Sequence, residues 1–167
     1  LTILYESRIN KIKYLMPNCC VGVDVIVGFP GETDEDFNET LNFLKKLDIS
    51  YLHVFSYSDR ENTESNLIEN KVPNYVKSER SKILRQLSLK KKRTFYEYNI
   101  NSERPVLFES KNSDGYIYGY TDNYIRVKAI WSKELVDNII NCKLEKIDDG
   151  LIMRAKALIK MPKVLHQ

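Results

Sequence analysis

The chain has 167 residues, of which 43% are hydrophobic and 29% are charged, and its formal net charge is +3. A chain of this size and composition can bury one moderate core or two small ones, which excludes a disordered or fibrous protein. No apolar run approaches the roughly 20 residues that span a bilayer, and the first residues lack the pattern of a signal peptide. We therefore expect a globular protein in the cytoplasm.

The cysteines form neither a metal-binding pattern nor a disulfide pattern. Cys19 and Cys20 are adjacent, and Cys142 lies far from both in the sequence. Because zinc sites and disulfide frameworks need spaced cysteines, we expect three free thiols and no metal ligand in this chain.

Charge is distributed unevenly along the chain. Acidic residues outnumber basic ones in residues 1–76, whereas residues 77–98 are strongly basic and residues 99–167 are slightly basic. A polyanion such as nucleic acid is therefore a better partner for the second half than for the first. The alternative interpretation of the basic stretch is a solvated helix face.

The first half of the chain has the pattern of alternating helices and parallel strands. Apolar spacing predicts a helix over 5–16, a strand over 21–28, a helix that begins after Thr33 and a strand over 51–58. The first of these strands is rich in Val and Ile, which is typical of a strand that is buried on both faces.

A long basic helix is expected next, over residues 76–100. Its inward-facing residues are predicted to be Ile83, Leu84, Leu87 and Phe95. After residue 98 the pattern changes to short alternating strands separated by turns, which predicts a small antiparallel barrel of the OB-like kind. The chain thus divides into an α/β part, residues 1–98, and an all-β part, residues 99–165.

Aromatic and cationic side chains interleave along two neighbouring strands of the predicted barrel. They are Tyr116, Tyr118, Tyr120, Tyr124, Arg126 and Lys128. Rings can stack on bases while cations meet phosphates, which is the combination that small RNA-binding barrels use. Alternatively, the alternation of side chains along a strand places about half of the tyrosines in the barrel core.

The second predicted strand of the α/β part carries His53, Phe55 and Tyr57 on one face. If this face lines the interior of an α/β barrel, His53 and Tyr57 contact a substrate or a cofactor. The alternative for His53 is a satisfied core residue, which is the more common role of a lone histidine on an apolar strand.

Three segments carry a family resemblance: "GVDVIVGFPGETDEDFNETLNFLKKL", "YLHVFSYSDRENT" and "GYTDNYIRV", in this order and spacing. Together they resemble the C-terminal part of radical S-adenosylmethionine tRNA methylthiotransferases, in particular the branch that modifies threonylcarbamoyladenosine. The resemblance covers almost the whole chain. It implies the last strands of a partial β/α, TIM-like barrel for residues 1–98, and a TRAM domain, a small RNA-binding β-barrel, for residues 99–165.

The resemblance also implies cofactors whose ligands are missing here. Such enzymes use S-adenosylmethionine and hold a [4Fe–4S] cluster on a Cys-x-x-x-Cys-x-x-Cys loop, with a second cluster in a further N-terminal domain. Cys19 and Cys20 do not match those cysteines. We therefore assign no metal ligand and no catalytic residue to this chain, and expect it to be inactive by itself.

Site residues follow from the same resemblance. The strand that ends in Gly28, Pro30 and Gly31 is expected to lie against the adenosine part of S-adenosylmethionine, where glycine lets the backbone approach a ligand closely. Asp24 is expected to point into the barrel, or else to be a core aspartate paired with a neighbouring strand. The segment "YSDRENT" departs from the family's "YSxRPGT" but retains Arg60, which is expected to contact an anion or the substrate.

Two functions from different classes follow. The first is a C-terminal fragment of a tRNA methylthiotransferase, which would add a methylthio group to threonylcarbamoyladenosine beside the anticodon by radical hydrogen abstraction. Its partners would be the anticodon stem-loop of tRNA and the missing N-terminal half of the same polypeptide. The second is a non-catalytic RNA-binding protein built from a truncated barrel and a TRAM domain.

Overall fold

The computed structural model describes residues 2–158, and the chain forms two compact units divided between Lys92 and Arg93. The first unit contains α1 (Thr2–Leu15), β1 (Gly22–Val27), α2 (Asp34–Lys46), β2 (Tyr51–Ser56), a short helical turn (Glu64–Leu67) and most of α3 (Asn74–Tyr98). The second contains the end of α3, β3 (Glu103–Ser113), β4 (Tyr116–Thr121), β5 (Arg126–Ile130), a short helical turn (Lys133–Leu135), β6 (Ile139–Asp148) and β7 (Ile152–Ala157).

The domain boundary that the sequence predicts, between residues 98 and 99, falls at the end of α3. Residues 159–165 of the expected TRAM domain lie outside the described residues. The remaining part of that expectation, a small all-β barrel after α3, is confirmed.

The sheet of the first unit has two parallel strands, β1 and β2, and buries one of its faces. The buried core combines this face with residues from all three helices: Ile9, Val23, Val25, Val27, Phe37, Leu44, Leu47, Ile49, Leu52 and Leu84. Alternate residues of β1, namely Gly22, Asp24 and Ile26, are exposed. The expectation that β1 is buried on both faces is therefore wrong, because the helices that contribute to this core cover only one face of the sheet.

The start of α2 is fixed by the predicted N-cap, Thr33. Its hydroxyl accepts a hydrogen bond from the backbone N–H of Asp36 at 3.1 Å, and the Asp36 carboxylate accepts one from the backbone N–H of Thr33 at 2.9 Å. The Thr33 backbone N–H is thus the main reason why the pKa of Asp36 is lowered. This capping box satisfies two backbone donors that the helix itself cannot pair.

Helix α3 buries a set of residues that differs from the predicted one. Leu84 is fully buried and Phe95 nearly so, whereas Ile83 is exposed. Ile83 lies one residue, and hence about 100° around the helix, from the buried stripe. Ser88 occupies part of that stripe, and its hydroxyl accepts a hydrogen bond from the Leu52 N–H and donates one to the Leu52 carbonyl.

The second unit is a closed five-stranded barrel in the order β3-β4-β5-β7-β6. Four of its strand pairs are antiparallel, but β5 and β7 are parallel. The expected antiparallel barrel is thus confirmed at four of its five strand pairs, and the β5–β7 pair is the exception. Five strands in a closed ring cannot alternate in direction at every pair, so at least one neighbouring pair has to be parallel. The barrel core includes Val106, Phe108, Ile117, Ile125, Val127, Leu144 and Met153.

Buried amides connect the turn after β4 to the residues that follow α3. The Asn123 side chain donates to the Asn99 side-chain carbonyl at 3.0 Å and accepts from the Thr121 hydroxyl at 2.7 Å. The Thr121 hydroxyl in turn accepts from the backbone N–H of Ile125 at 2.9 Å. Because these side chains are buried and paired, Thr121 and Asn123 of "GYTDNYIRV" have a structural role.

Candidate functional site

The loop after β1 is closed by an internal carboxylate. The side chain of Glu32 accepts a hydrogen bond from the backbone N–H of Gly28 at 2.7 Å, and Arg80 of α3 forms an ion pair with the same carboxylate. Arg80 also donates to the Asp34 carboxylate at 2.7 Å, and its side chain is almost fully buried. A hydrogen-bonded charge pair of this kind holds the Gly28–Glu32 loop in one conformation.

The two glycines of this loop differ in what surrounds them. Both have positive φ, +74° at Gly28 and +86° at Gly31, which non-glycine residues rarely adopt. A Cβ at Gly28 would lie 2.4 Å from Cγ of Lys77, so the Lys77 side chain fills that space. A Cβ at Gly31 would meet nothing within 4 Å. Open space for a ligand is therefore a feature of Gly31 and not of Gly28, while Pro30 is buried.

The uncovered face of the β1–β2 sheet brings together a carboxylate, an imidazole and apolar side chains. Asp24 pairs in register with His53, and Ile26 pairs with Phe55. All four are exposed, with 59% of Ile26 and 52% of Phe55 accessible to solvent. The alternatives of a core aspartate and a core histidine are therefore wrong, because both side chains lie on the exposed face.

Tyr57 and Arg60 do not belong to this group of side chains on the exposed face of the sheet. Tyr57 follows β2, and its ring packs edge-on against Phe29 at 5.2 Å while its hydroxyl donates to Ser65 at 3.0 Å. Lys77 contacts the same residue, donating to the Tyr57 carbonyl at 3.3 Å. The side chain of Arg60 is exposed, and its carbonyl accepts a hydrogen bond from the Thr63 hydroxyl.

On the barrel, the tyrosines of β4 all face outward. Tyr116, Tyr118 and Tyr120 are partly or fully exposed, whereas Ile117, Gly119 and Thr121 between them are buried. The alternative that about half of the tyrosines lie in the core is wrong, because residues spaced by two share one face of a strand.

The fourth tyrosine, Tyr124, belongs to the turn between β4 and β5. It has a positive φ of 66°, and 71% of it is exposed. Its ring lies 5.6 Å from that of Tyr120. Tyr124 therefore extends the outward row of rings beyond the end of β4.

The predicted cations of β5 lie over these rings. The Arg126 guanidinium is 4.7 Å from the ring centre of Tyr120 and 5.2 Å from that of Tyr118, and the Lys128 ammonium is 5.0 Å from that of Tyr116. These separations are within the range of cation–π attraction. The structure therefore brings all six predicted residues of the barrel together on one face, which we call the aromatic–cationic face.

Three charged residues that the sequence analysis did not single out complete this face. Glu109 of β3 binds the Arg126 guanidinium, and Asp148 accepts from Lys128 at 3.0 Å and from Arg154 of β7 at 2.8 Å. Hydrogen bonds from Arg126 lower the pKa of Glu109, and hydrogen bonds from Arg154 and then Lys128 lower that of Asp148. Only the pairing of β3, β6 and β7 with their neighbouring strands could have revealed these partners.

Potential metal ligands are dispersed in the described part of the chain. Within residues 2–158 no three His, Cys, Asp or Glu side chains gather into a group that could hold a metal ion. Cys19 and Cys20 are half-buried, and Cys142 is fully buried in the barrel. No helix among these residues is both long and apolar enough to cross a membrane.

Known proteins with similar sequences are tRNA-modifying enzymes. The chain is 43% identical over 131 residues to the threonylcarbamoyladenosine tRNA methylthiotransferase MtaB of Aquifex aeolicus, a match that covers 78% of this chain and 31% of the relative. It is 38% identical over 149 residues to MtaB of Bacillus subtilis, covering 85% of this chain and 32% of the relative. The tRNA-2-methylthio-N(6)-dimethylallyladenosine synthase of Clostridium tetani is 39% identical over 145 residues, with coverages of 85% and 32%. The chain matches no protein-family profile.

These similarities define the class of protein. The chain belongs to the tRNA methylthiotransferase family, as its three motifs predicted. It spans about a third of the length of the curated relatives that it matches.

Proposed function

We propose that this chain is the C-terminal, tRNA-binding part of a methylthiotransferase that acts on threonylcarbamoyladenosine beside the anticodon. The aromatic–cationic face carries this proposal. β4 and β5 are the second and third strands of the barrel, and in OB-fold barrels the face of these two strands binds oligonucleotides. The rings of β4 would stack on bases, and the cations of β5 would contact phosphates.

The identities of the relatives overlap between the two branches of the family. The two matches to threonylcarbamoyladenosine enzymes have 43% and 38% identity, and the match to a dimethylallyladenosine enzyme has 39%. The segments "YLHVFSYSDR" and "GYTDNYIRV" favour the threonylcarbamoyladenosine branch.

In the first unit, the uncovered sheet face and the loop after β1 fit a role beside S-adenosylmethionine in a TIM-like barrel. Gly31 keeps the space beside its backbone open, and Asp24 offers an exposed hydrogen-bond acceptor on the neighbouring strand face. Asp24, Pro30 and Gly31 would hold the cofactor, while Gly28 admits the Lys77 side chain and Glu32 and Arg80 keep the loop rigid. When bound, S-adenosylmethionine together with an iron–sulfur cluster supplies the radical chemistry of hydrogen abstraction. The cluster ligands would belong to the missing N-terminal part.

The proposal predicts a charge-dependent affinity for an anticodon stem-loop RNA. Replacing Arg126 or Lys128 with Ala should weaken binding and reduce its salt dependence by about one phosphate contact each. Glu109→Gln should instead strengthen binding at low salt, because the Glu109 carboxylate competes with phosphate for Arg126. Glu103→Gln is the matched control, since Glu103 is exposed on the same strand and lies away from Arg126.

Fluorescence anisotropy of labelled RNA across a salt series measures these effects. Equal affinities for the stem-loop and for heparin, together with no response to Glu109→Gln, would contradict the proposal. The same result would leave the non-catalytic RNA-binding protein without support, because that alternative depends on the same face. The two functions differ instead in the upstream coding sequence, where only the enzyme requires a Cys-x-x-x-Cys-x-x-Cys segment.

A further inference from the structure

A cleft of about 460 Å³ lies beside the aromatic–cationic face, where β5 pairs in parallel with β7. Its wall includes two aromatic rings, Tyr116 of β4 and Trp131 after β5, and two cations of β7, Arg154 and Lys156. Trp131 is held in place by its backbone N–H, which donates to the Gly115 carbonyl at 2.9 Å, and 38% of it is exposed. Neither Trp131 nor Lys156 belongs to the set of residues that the motifs single out.

The chemistry of this cleft matches that of one unpaired nucleotide. Its volume is within the range of small-molecule pockets, and an exposed ring next to cations can stack on a base while the cations bind its phosphate. The carboxylate of Glu145, which also lines the cleft, can accept a hydrogen bond from the exocyclic amino group of a base. A duplex presents no unstacked base, so the same wall offers little to double-stranded RNA.

We propose that the cleft between Tyr116, Trp131, Arg154 and Lys156 binds an unpaired nucleotide of the RNA, as a subsite that adjoins the aromatic–cationic face and shares Tyr116 and Arg154 with it. This inference rests on the proposed RNA-binding function. The base stacks on Trp131 or Tyr116, and the phosphate meets Arg154 or Lys156. The subsite would allow the barrel to distinguish a loop nucleotide from a base-paired stem.

Trp131 is itself the reporter for the test, because it is the only tryptophan in the chain. We expect an anticodon stem-loop RNA to quench the Trp131 fluorescence of the whole chain saturably, with a midpoint equal to the dissociation constant from anisotropy. A fully paired duplex with the sequence of the stem should bind without this quenching. Quenching by heparin equal to that by the stem-loop would overturn the inference, since heparin contains no base.

Variants measure the contribution of each group. Trp131→Ala should reduce affinity for the stem-loop by roughly fivefold to a hundredfold, the cost of one lost stacking interaction, whereas Trp131→Phe should retain most of it. Lys156→Ala should weaken binding and leave the melting temperature unchanged, because Lys156 is exposed. Lys11→Ala is its charge-matched control on α1, where the side chain is also exposed.

The outcomes separate this inference from the proposal on which it rests. If the stem-loop binds and responds to Arg126→Ala, but neither quenches Trp131 nor responds to Trp131→Ala and Lys156→Ala, the subsite is refuted and RNA binding by the barrel stands. If the stem-loop does not bind at all, both are refuted. If Trp131→Ala lowers the melting temperature, the Lys156→Ala variant and the quenching of the unaltered chain decide between these results.

Discussion

The two units differ in the closure of their sheets. The barrel closes on itself, so each of its strands has two neighbours and its inward side chains share one core. The sheet of the first unit consists of β1 and β2, and it exposes Ile26 and Phe55 on one face. An open two-stranded sheet therefore depends on the helices of its unit to form a core, whereas a closed barrel forms its core between its own strands.

The largest expected difference between the units comes from matched core truncations. Leu84→Ala in α3 and Ile117→Ala in β4 each remove a fully buried side chain, and each should cost about 2–5 kcal/mol. A two-stranded sheet is only marginally stable, so we expect Leu84→Ala to abolish amide protection in β1 and β2. Ile117→Ala should leave the barrel folded with a lower melting temperature. Hydrogen exchange of the whole chain measures both effects. Loss of protection in the barrel with Ile117→Ala, together with retained protection in β1 and β2 with Leu84→Ala, would contradict the expected difference in stability between the units.

A smaller effect is expected from the buried amide network of the barrel. Asn123→Ala removes the hydrogen bond that the Asn99 side-chain carbonyl accepts and the one that the Thr121 hydroxyl donates, which should cost about 1–3 kcal/mol in the unfolding free energy of the barrel. Asp122→Ala is the control, because Asp122 is exposed and its ion pair with Arg104 should contribute at most about 1 kcal/mol. Urea denaturation measures the two variants, and equal costs would show that the network does not stabilise the turn.

In the first unit, the two loop glycines should respond differently to alanine. Both substitutions place a side chain at positive φ, at a cost of roughly 1–2 kcal/mol. Gly28→Ala should cost more than Gly31→Ala, because only at Gly28 does the new Cβ collide with Lys77. Adding Lys77→Ala should recover the difference and leave the cost of the backbone conformation. A double-mutant cycle with no coupling between Gly28 and Lys77 would refute this packing.

The smallest effect concerns the thiols. Burial raises the pKa of Cys142 to about 11, so this thiol stays protonated and unreactive while the barrel is folded. Because its folded-state pKa lies above the ordinary value of 9.0, the folded chain retains this proton longer than the unfolded chain does. The free energy of unfolding should therefore fall as the pH rises from about 9 towards 11. Thiol-reagent titration should modify Cys19 before Cys142, and early modification of Cys142 would contradict its burial.

Much of the fold could be predicted because local patterns and tertiary structure agree. The Val-rich strand, the Thr33 cap and the turn residues after residue 98 each specify an element from neighbouring residues alone. The parallel β5–β7 pair could not be predicted in this way, because a strand's partner and direction depend on contacts distant in sequence. The exposure of one face of β1 escaped prediction for a similar reason, since apolar neighbours do not reveal which face of a sheet is covered.

The candidate site on the barrel could be predicted in part. The two-residue spacing of Tyr116, Tyr118 and Tyr120 already implies one common face, and burial decides that it is the outer one. The ion pairs of Arg126 and Lys128 depend on how β3 and β6 are placed in the barrel, which no local pattern encodes. Lys77 could not be associated with Gly28 either, because the two residues come together only through the packing of α3.

The most direct test of RNA binding by the barrel is hydrogen exchange of the whole chain with and without an anticodon stem-loop RNA. Binding of RNA to the aromatic–cationic face predicts slower exchange in β4, in β5 and in the turn that carries Tyr124, with no change in β1 and β2. It also predicts that Arg126→Ala and Tyr120→Ala together remove this protection without altering exchange in the core strand β6. Protection confined to the first unit, or no protection at RNA concentrations that saturate binding, would contradict RNA binding by the barrel.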